Sequence, residues 1–188
     1  TGLEEPMTTH ADRFKYNDGY GMSAYDKGSI FLSQLQYVIG KENFDNTLKR
    51  YFDDWSFKHP KPIDFIRSAE KVSGLELDWY LLDWAQSTMT IDYSVNSLYG
   101  IDNKTRVVLK RIGQMGMPID LRIELISGET LDYNIPMTKM RGSKPVGSST
   151  LLKSWSWAKP YYEMWLDVDS KNISKITIDP KNEMADVN

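Results

Sequence analysis

The sequence has no cysteine and only two histidines among its 188 residues. The lack of cysteine excludes disulfide scaffolds, cysteine-rich zinc sites and thiol nucleophiles. A hydrolytic metal centre usually needs three clustered protein ligands, often with two histidines spaced to share one helix face. His10 and His59 lie far apart, and neither has a carboxylate at helical ligand spacing. The sequence therefore predicts no metal site in this chain.

Neither sign of charge predominates, because the formal net charge is only -3 and the basic residues are scattered among acidic ones. Without a basic run, no nucleic-acid partner is expected. No apolar stretch approaches the roughly 20 residues that cross a bilayer, so no transmembrane segment is expected either. With 40% hydrophobic and 26% charged residues, the composition is typical of a soluble, packed protein.

Several catalytic signatures are missing as well. The sequence has no Gly-x-Ser-x-Gly nucleophile motif and no glycine spacing of a nucleotide-binding loop. The acidic run from Asp167 to Asn172 lacks the glycine and the terminal glutamate of a calcium loop, and is typical of a turn after a strand. These absences exclude the commonest serine hydrolase and nucleotide-binding patterns.

The first half of the chain shows helical periodicity after an irregular, glycine-punctuated lead-in over residues 1–23. Apolar residues recur at three- and four-residue spacing, and Pro62 suits a first helical turn. Gly40 and Gly74 stand where helices commonly end. The pattern predicts about four helices, over residues 24–39, 42–55, 62–74 and 79–86.

Beyond residue 88 the apolar period changes to alternation, which is typical of strands. Ser127-Gly128 is a turn signal between two of these runs. The alternating runs predict strands around residues 91–95, 107–109, 121–125, 131–135, 164–168 and 176–178. The predicted fold is therefore α+β, with a helical lobe over residues 1–89 followed by an antiparallel β-sandwich over residues 90–188.

The best candidate for a catalytic segment is Tyr20-Gly-Met-Ser-Ala-Tyr25-Asp-Lys-Gly28, which leads into the first predicted helix. A phenol just ahead of a helix, held by a loop, can donate a hydrogen bond to negative charge developing on a carbonyl oxygen. A phenol is protonated at neutral pH and so keeps its proton for this purpose. On the residues alone, packing is the commoner role of such a tyrosine.

An ordered series of short motifs extends from this segment through the helical half: Tyr25-Asp-Lys-Gly28, Glu42-Asn-Phe44, Leu48-Lys-Arg-Tyr-Phe52, Asp64-Phe65 and Asp78-Trp79 to Trp84. The series resembles the stretch downstream of the zinc site in gluzincin aminopeptidases, the membrane-alanyl-aminopeptidase-like enzymes that include leukotriene hydrolase. The resemblance covers about residues 1–90. It implies that the chain is the C-terminal portion of a zinc-dependent aminopeptidase. It also implies that residues 1–89 complete a thermolysin-like catalytic domain, with a β-sandwich after it.

The resemblance also implies roles for two tyrosines. Tyr25 matches the family's catalytic tyrosine, which stabilises the tetrahedral oxyanion formed when zinc-bound water attacks the peptide carbonyl. Tyr20 matches a nearby tyrosine that lines the substrate pocket. The expected substrate is therefore a peptide, cleaved at its N-terminal bond.

The family's zinc-binding motifs are absent from this sequence and would lie upstream of Thr1. The resemblance therefore implies that zinc belongs to the parent enzyme. The upstream catalytic half of the same protein is then the expected partner, and this chain alone should be inactive. Two departures from the family pattern are present. Asp26 stands where glutamate is commoner, which is a mild change. Ser87-Thr-Met-Thr-Ile91 replaces a Gly-x-Pro at the entry to the β domain, which indicates a divergent branch and leaves the substrate preference open.

The aromatic residues of the second half leave a rival interpretation open. Trp155, Trp157 and Tyr161 could form a platform in a non-catalytic carbohydrate- or protein-binding module built on the β-sandwich. A third possibility is a parent protein that kept the fold, lost catalysis and became a docking subunit.

Overall fold

A computed structural model describes residues 3–187 and divides the chain into two compact units. The helical unit extends to Met89 and also includes the segment Lys139–Pro145. The β unit contains Thr90–Thr138 and continues from Val146. Within the described residues, no helix is long and apolar enough to span a membrane.

The helical unit begins with a long helix that changes its winding partway along. Asn17–Gly21 is α-helical (α1), Met22–Asp26 is a π-helical turn, and Lys27–Ile39 is α-helical again (α2). The prediction of an irregular lead-in to residue 23 is therefore wrong for its last seven residues, 17–23, which are helical. The glycines in this stretch suggested a loop. Gly19 is nevertheless required inside the helix, because a Cβ at this position would lie 2.8 Å from the Leu3 carbonyl oxygen. Glycine is there to permit close packing, although it also weakens the helical signal.

The other three predicted helices are confirmed. They are α3 (Lys41–Trp55), α4 (Pro62–Ser73) and α5 (Asp78–Ala85). Gly40 and Gly74 follow α2 and α4 with positive φ angles of 84° and 72°, which L side chains adopt only with strain. The completely buried side chains of the helices and their connections form one core: Leu35, Val38, Ile39, Ile66, Ala69, Leu77 and Tyr80. The Tyr80 hydroxyl donates to the Phe31 carbonyl at 2.6 Å, which links α5 to α2.

A segment distant in sequence completes the helical unit. Met140 is completely buried, and its carbonyl accepts a hydrogen bond from the Glu76 backbone N–H at 3.0 Å. The Lys144 ammonium lies 4.0 Å from the centre of the Tyr37 ring. The helical unit is thus assembled from two stretches of chain.

The β unit contains two sheets. In the first, β1 (Tyr93–Ile101), β2 (Lys104–Arg111) and β6 (Tyr161–Leu166) are antiparallel neighbours in the order β1-β2-β6. In the second, β3 (Ile119–Leu125), β4 (Thr130–Ile135), β5 (Thr150–Leu151) and β7 (Ile173–Ile178) take the order β5-β4-β3-β7. Only the short β5, which was not predicted, pairs in parallel among these described strands. The predicted α+β class, with a helical lobe followed by antiparallel sheets, is confirmed.

Alternate residues of the strands supply the core of the β unit, as the alternation of the sequence predicted. The most deeply buried of them are Val107, Leu109, Ile119, Leu121, Ile123 and Ile135. Aromatic rings extend this core, because Trp155 lies 5.5 Å from Tyr93 and 5.3 Å from Tyr162 between ring centroids.

Candidate active-site tyrosines in the helical unit

Tyr25 lies in the π turn between α1 and α2. The prediction that its phenol stands just ahead of a helix, on a loop, is therefore wrong, because the chain is helical on both sides of it. A π turn inserts an extra residue into a helix, and such turns occur frequently at functional sites. The Tyr25 side chain is 69% exposed, and within residues 3–187 its hydroxyl has no hydrogen-bond partner. The hydroxyl is thus available to a ligand.

Tyr20, the second predicted site residue, lies beside Tyr25. The two ring centroids are 6.1 Å apart and the rings are nearly perpendicular. Phe14 also contacts Tyr20 in an edge-to-face manner, with 5.4 Å between the ring centroids. Such contacts orient aromatic rings relative to one another. The structure therefore brings the two predicted tyrosines together, and it adds Phe14, which no sequence motif had indicated.

The lead-in is fastened to the π turn just before Tyr25. The completely buried Ser23 hydroxyl donates to the Glu5 carbonyl at 2.7 Å and accepts from the Glu5 backbone N–H at 3.2 Å. The Glu5 carboxylate in turn accepts from the Lys15 backbone N–H at 2.9 Å. The lead-in thus has a fixed path along the helix that carries Tyr25.

A second attachment follows Tyr25 at Lys27, the first residue of α2. The Lys27 ammonium donates to a Glu4 carboxylate oxygen at 2.5 Å and to the Ser87 carbonyl oxygen at 2.7 Å. Lys27 is only 7% exposed, so this is a buried charge with a partner. Sequence reasoning gave the lead-in and Lys27 no role, since a lysine in an unknown environment is usually a surface residue.

Neither histidine contributes to this site. The His10 ring nitrogen Nδ1 accepts from the Asp12 backbone N–H at 3.3 Å, which caps the short 3-10 helix Ala11–Arg13. His59 is exposed between α3 and α4. No group of three or more His, Asp or Glu side chains in the described part of the chain could hold a metal ion. These residues therefore do not fit the zinc site that the resemblance implies for the parent enzyme.

The aromatic platform of the rival interpretation is not present as predicted. Trp155 is only 5% exposed, and its indole N–H donates to the Lys159 carbonyl at 2.9 Å. Trp157 and Tyr161 are exposed, but Trp155 belongs to the core of the β unit. The expectation that Trp155 forms part of a binding surface is wrong, because its ring packs against Tyr93 and Tyr162 and its indole N–H has an internal acceptor.

Comparison with known proteins places these tyrosines in a family context. Residues 3–84 match the model of the peptidase family M1 domain. Aminopeptidase N of Escherichia coli strain K12 is 25% identical over 140 residues, which cover 70% of this chain and 16% of that protein. Leucine aminopeptidase 2 of Emericella nidulans is 36% identical over 73 residues, covering 34% of this chain and 12% of that protein.

A solved structure is also similar: the aminopeptidase A of Legionella pneumophila in complex with aspartic acid. It is 18% identical, with a TM-score of 0.48, over 80% of this chain and 16% of that chain. The present chain thus spans about a sixth or less of the length of the two curated relatives. The family match and the related aminopeptidases confirm the predicted resemblance. The chain therefore resembles M1-family aminopeptidases, and the segment that carries Tyr20 and Tyr25 lies within the residues that match the peptidase family M1 domain.

Proposed function

We propose that this chain is part of a zinc-dependent aminopeptidase, in which Tyr25 stabilises the oxyanion formed during hydrolysis of an N-terminal peptide bond. The observation that carries the proposal is the exposed Tyr25 hydroxyl on a backbone fixed both before and after it. This hydroxyl lies inside the segment that matches the M1 domain.

The chemistry asked of Tyr25 is the donation of one hydrogen bond. When the scissile carbonyl carbon becomes tetrahedral, its oxygen gains negative charge, and a donor already in place stabilises that charge more than it stabilises the substrate. A phenol remains protonated at neutral pH and can serve as this donor. Removing one such donor typically lowers kcat by about 10²–10³-fold.

Tyr20 has a different task in this proposal. Its ring lies edge-on to Tyr25 and is 38% exposed, so it can offer an apolar surface to a substrate residue near the reacting carbonyl. We therefore assign Tyr20 to the wall of the substrate pocket. Replacing it should affect KM more than kcat, because such a contact is made in both the substrate complex and the transition state.

The zinc ion and the general base belong, in this proposal, to an upstream catalytic half of the same protein. Two findings support this division. The described residues contain no side-chain cluster that could hold a metal ion, and the aminopeptidases that resemble this chain are several times longer. The isolated chain should accordingly hold no zinc and cleave no peptide.

An assay of two proteins tests the proposal: the 188-residue chain and the longer protein with the upstream half. Bound zinc is measured by metal analysis, and activity by release of a chromophore from aminoacyl substrates. We expect stoichiometric zinc and chelator-sensitive cleavage in the longer protein only. If the 188-residue chain alone bound stoichiometric zinc and cleaved the substrates, the proposed location of the zinc site in an upstream half would be wrong. A longer protein without aminopeptidase activity would contradict the proposed function.

A further inference from the structure

We propose that Lys27 is a positioning residue for Tyr25, which acts by fixing the π turn that presents the phenol. The inference rests on the proposed function of Tyr25. Lys27 does not need to touch the substrate for this role. It acts through its ion pair with Glu4 and its hydrogen bond to the Ser87 carbonyl.

Lys27 buries a charge inside the helical unit. The Lys27 side chain is 9% exposed, whereas its partner Glu4 is 38% exposed. Moving an ammonium group out of water is unfavourable, and an apolar side chain of similar size would fill the same space without that penalty. What the ammonium adds is direction, because its N–H groups require acceptors at defined places. Lys27 has two such acceptors, at 2.5 Å and 2.7 Å.

The two acceptors of Lys27 come from different segments of the helical unit. Glu4 belongs to the lead-in, Lys27 opens α2, and Ser87 follows the end of α5. A single ammonium group therefore joins three parts of the helical unit that are distant in sequence. The junction lies two residues after Tyr25, at the end of the π turn.

The chain is attached both before and after Tyr25. Ser23 and Lys27 are four positions apart, which places both on one side of the helix, and both are buried. Tyr25 lies midway between them and is exposed. Because π turns are rare and depend on their surroundings, two attachments around one exposed residue indicate that its placement matters. The lead-in supplies a partner at both attachments, through Glu5 and Glu4.

A double-mutant cycle in the longer, zinc-containing protein tests the role, with Lys27→Met, Tyr25→Phe and the double variant. Misplacing a reacting group by about 1 Å can cost about 10²-fold in rate. We expect Lys27→Met to lower kcat by about 10- to 10²-fold, with KM changed less than about twofold. In the Tyr25→Phe background the same change should cost almost nothing, since the group it positions is already gone. Lys27→Arg, which keeps the charge and the donors, should restore part of kcat.

Two further variants keep the test decisive if Lys27→Met fails to fold. Glu4→Gln leaves the bond from Lys27 to Ser87 possible, and it should lower kcat in the same direction. Lys41→Met is the matched control, since Lys41 pairs with Asp45 at 2.7 Å but its side chain is 74% exposed. That variant should turn over like the unmodified protein.

The outcomes separate the two proposals. If Tyr25→Phe is impaired but the Lys27 and Glu4 variants keep full kcat, the positioning role is overturned and the function stands. An equal loss from Lys27→Met with and without the Tyr25 hydroxyl would also overturn it, because Lys27 would then act independently of Tyr25. Full turnover by Tyr25→Phe would overturn both.

Discussion

Tyrosines in the π turn of the helical unit and in the core of the β unit differ in their exposure and in the hydrogen bonding of their hydroxyl groups. In the β unit, Tyr93 is 7% exposed, and its hydroxyl both donates to the Met117 carbonyl and accepts from the Met117 backbone N–H. In the π turn, Tyr25 is 69% exposed, and it is the backbone around it that is fastened, at Ser23 and Lys27. The Tyr93 hydroxyl is satisfied within the fold, whereas the Tyr25 ring is exposed on a fastened backbone.

Burial and hydrogen bonding thus distinguish a structural aromatic residue from one that we propose to be functional. A buried ring with its polar atom satisfied stabilises the protein, so replacing it should reduce stability. An exposed ring on a firmly attached backbone adds little to stability. Its replacement should reduce activity and leave folding intact.

The largest effect is expected for Trp155→Ala. This substitution removes a buried ring that contacts Tyr93 edge-on and Tyr162 at a tilt, and it should lower the free energy of unfolding by about 3–5 kcal/mol. Trp157→Ala is the matched control, since Trp157 is 54% exposed and should change stability by no more than about 0.5 kcal/mol. Urea denaturation of both variants measures the difference. Equal losses would mean that exposure does not separate the two roles in the β unit.

The next largest effect is expected for Tyr93, whose burial should make the stability of the fold depend on pH in the alkaline range. Burial is the main cause that raises the pKa of Tyr93 to about 12. Between pH 10 and 12 the unfolded chain loses the phenol proton while the folded chain keeps it, so stability falls as pH rises. Two pKa units correspond to about 2–3 kcal/mol. Tyr93→Phe should be less stable at neutral pH by about 1–3 kcal/mol, because the Met117 N–H loses its acceptor.

The gap in unfolding free energy between the unmodified chain and Tyr93→Phe should therefore narrow from pH 10 to 12. Denaturant titrations at several alkaline pH values measure it. Tyr99→Phe serves as the control, since Tyr99 is 53% exposed and should not alter the profile. A gap that stays constant would show that the Tyr93 hydroxyl is not buried as described.

The smallest effect is expected at a polar pair on the second sheet. Arg122 on β3 donates two hydrogen bonds to Asp132 on β4, at 2.7 Å and 2.8 Å, and these bonds are the main cause that lowers the pKa of the Asp132 carboxyl. Both side chains are about one third exposed, so Arg122→Gln should cost less than about 1 kcal/mol. The stabilisation is present above the carboxyl's unfolded pKa of about 3.9 and is lost as pH falls through its lowered folded pKa.

Denaturation of Arg122→Gln at neutral and acidic pH checks this. The cost of the substitution should shrink in acid. A cost comparable to that of Trp155→Ala would contradict the view that burial decides which contacts of the β unit matter.

Much of the fold could be predicted because its signals are local. The helices α3 to α5 have amphipathic repeats, and the longer strands alternate apolar with polar residues. The apolar positions therefore indicate the buried face of each element. Helix α1 was missed, since Gly19 and Gly21 lie inside it and glycine is typical of turns. Gly19 is there for packing, because a Cβ at this position would lie 2.8 Å from the Leu3 carbonyl oxygen. The strand β5 is only two residues long, and no periodic pattern can reveal it.

The site was only partly predictable for a related reason. Tyr20 and Tyr25 could be named as a pair because they belong to one short segment that resembles a family motif. The contacts that hold that segment join residues far apart, such as Lys27 to Glu4 and to Ser87. Sequence spacing carries no trace of those contacts. The place of Met140 inside the helical unit escaped prediction in the same way.

The central claim is that the Tyr25 hydroxyl performs chemistry and does not support the fold. The most direct test is kcat of Tyr25→Phe in the longer, zinc-containing protein, measured together with its metal content and melting temperature. We expect kcat to fall by about 10²–10³-fold, with the metal content and the melting temperature unchanged. Preserved turnover at unchanged metal content would remove Tyr25 from the mechanism and contradict its proposed role.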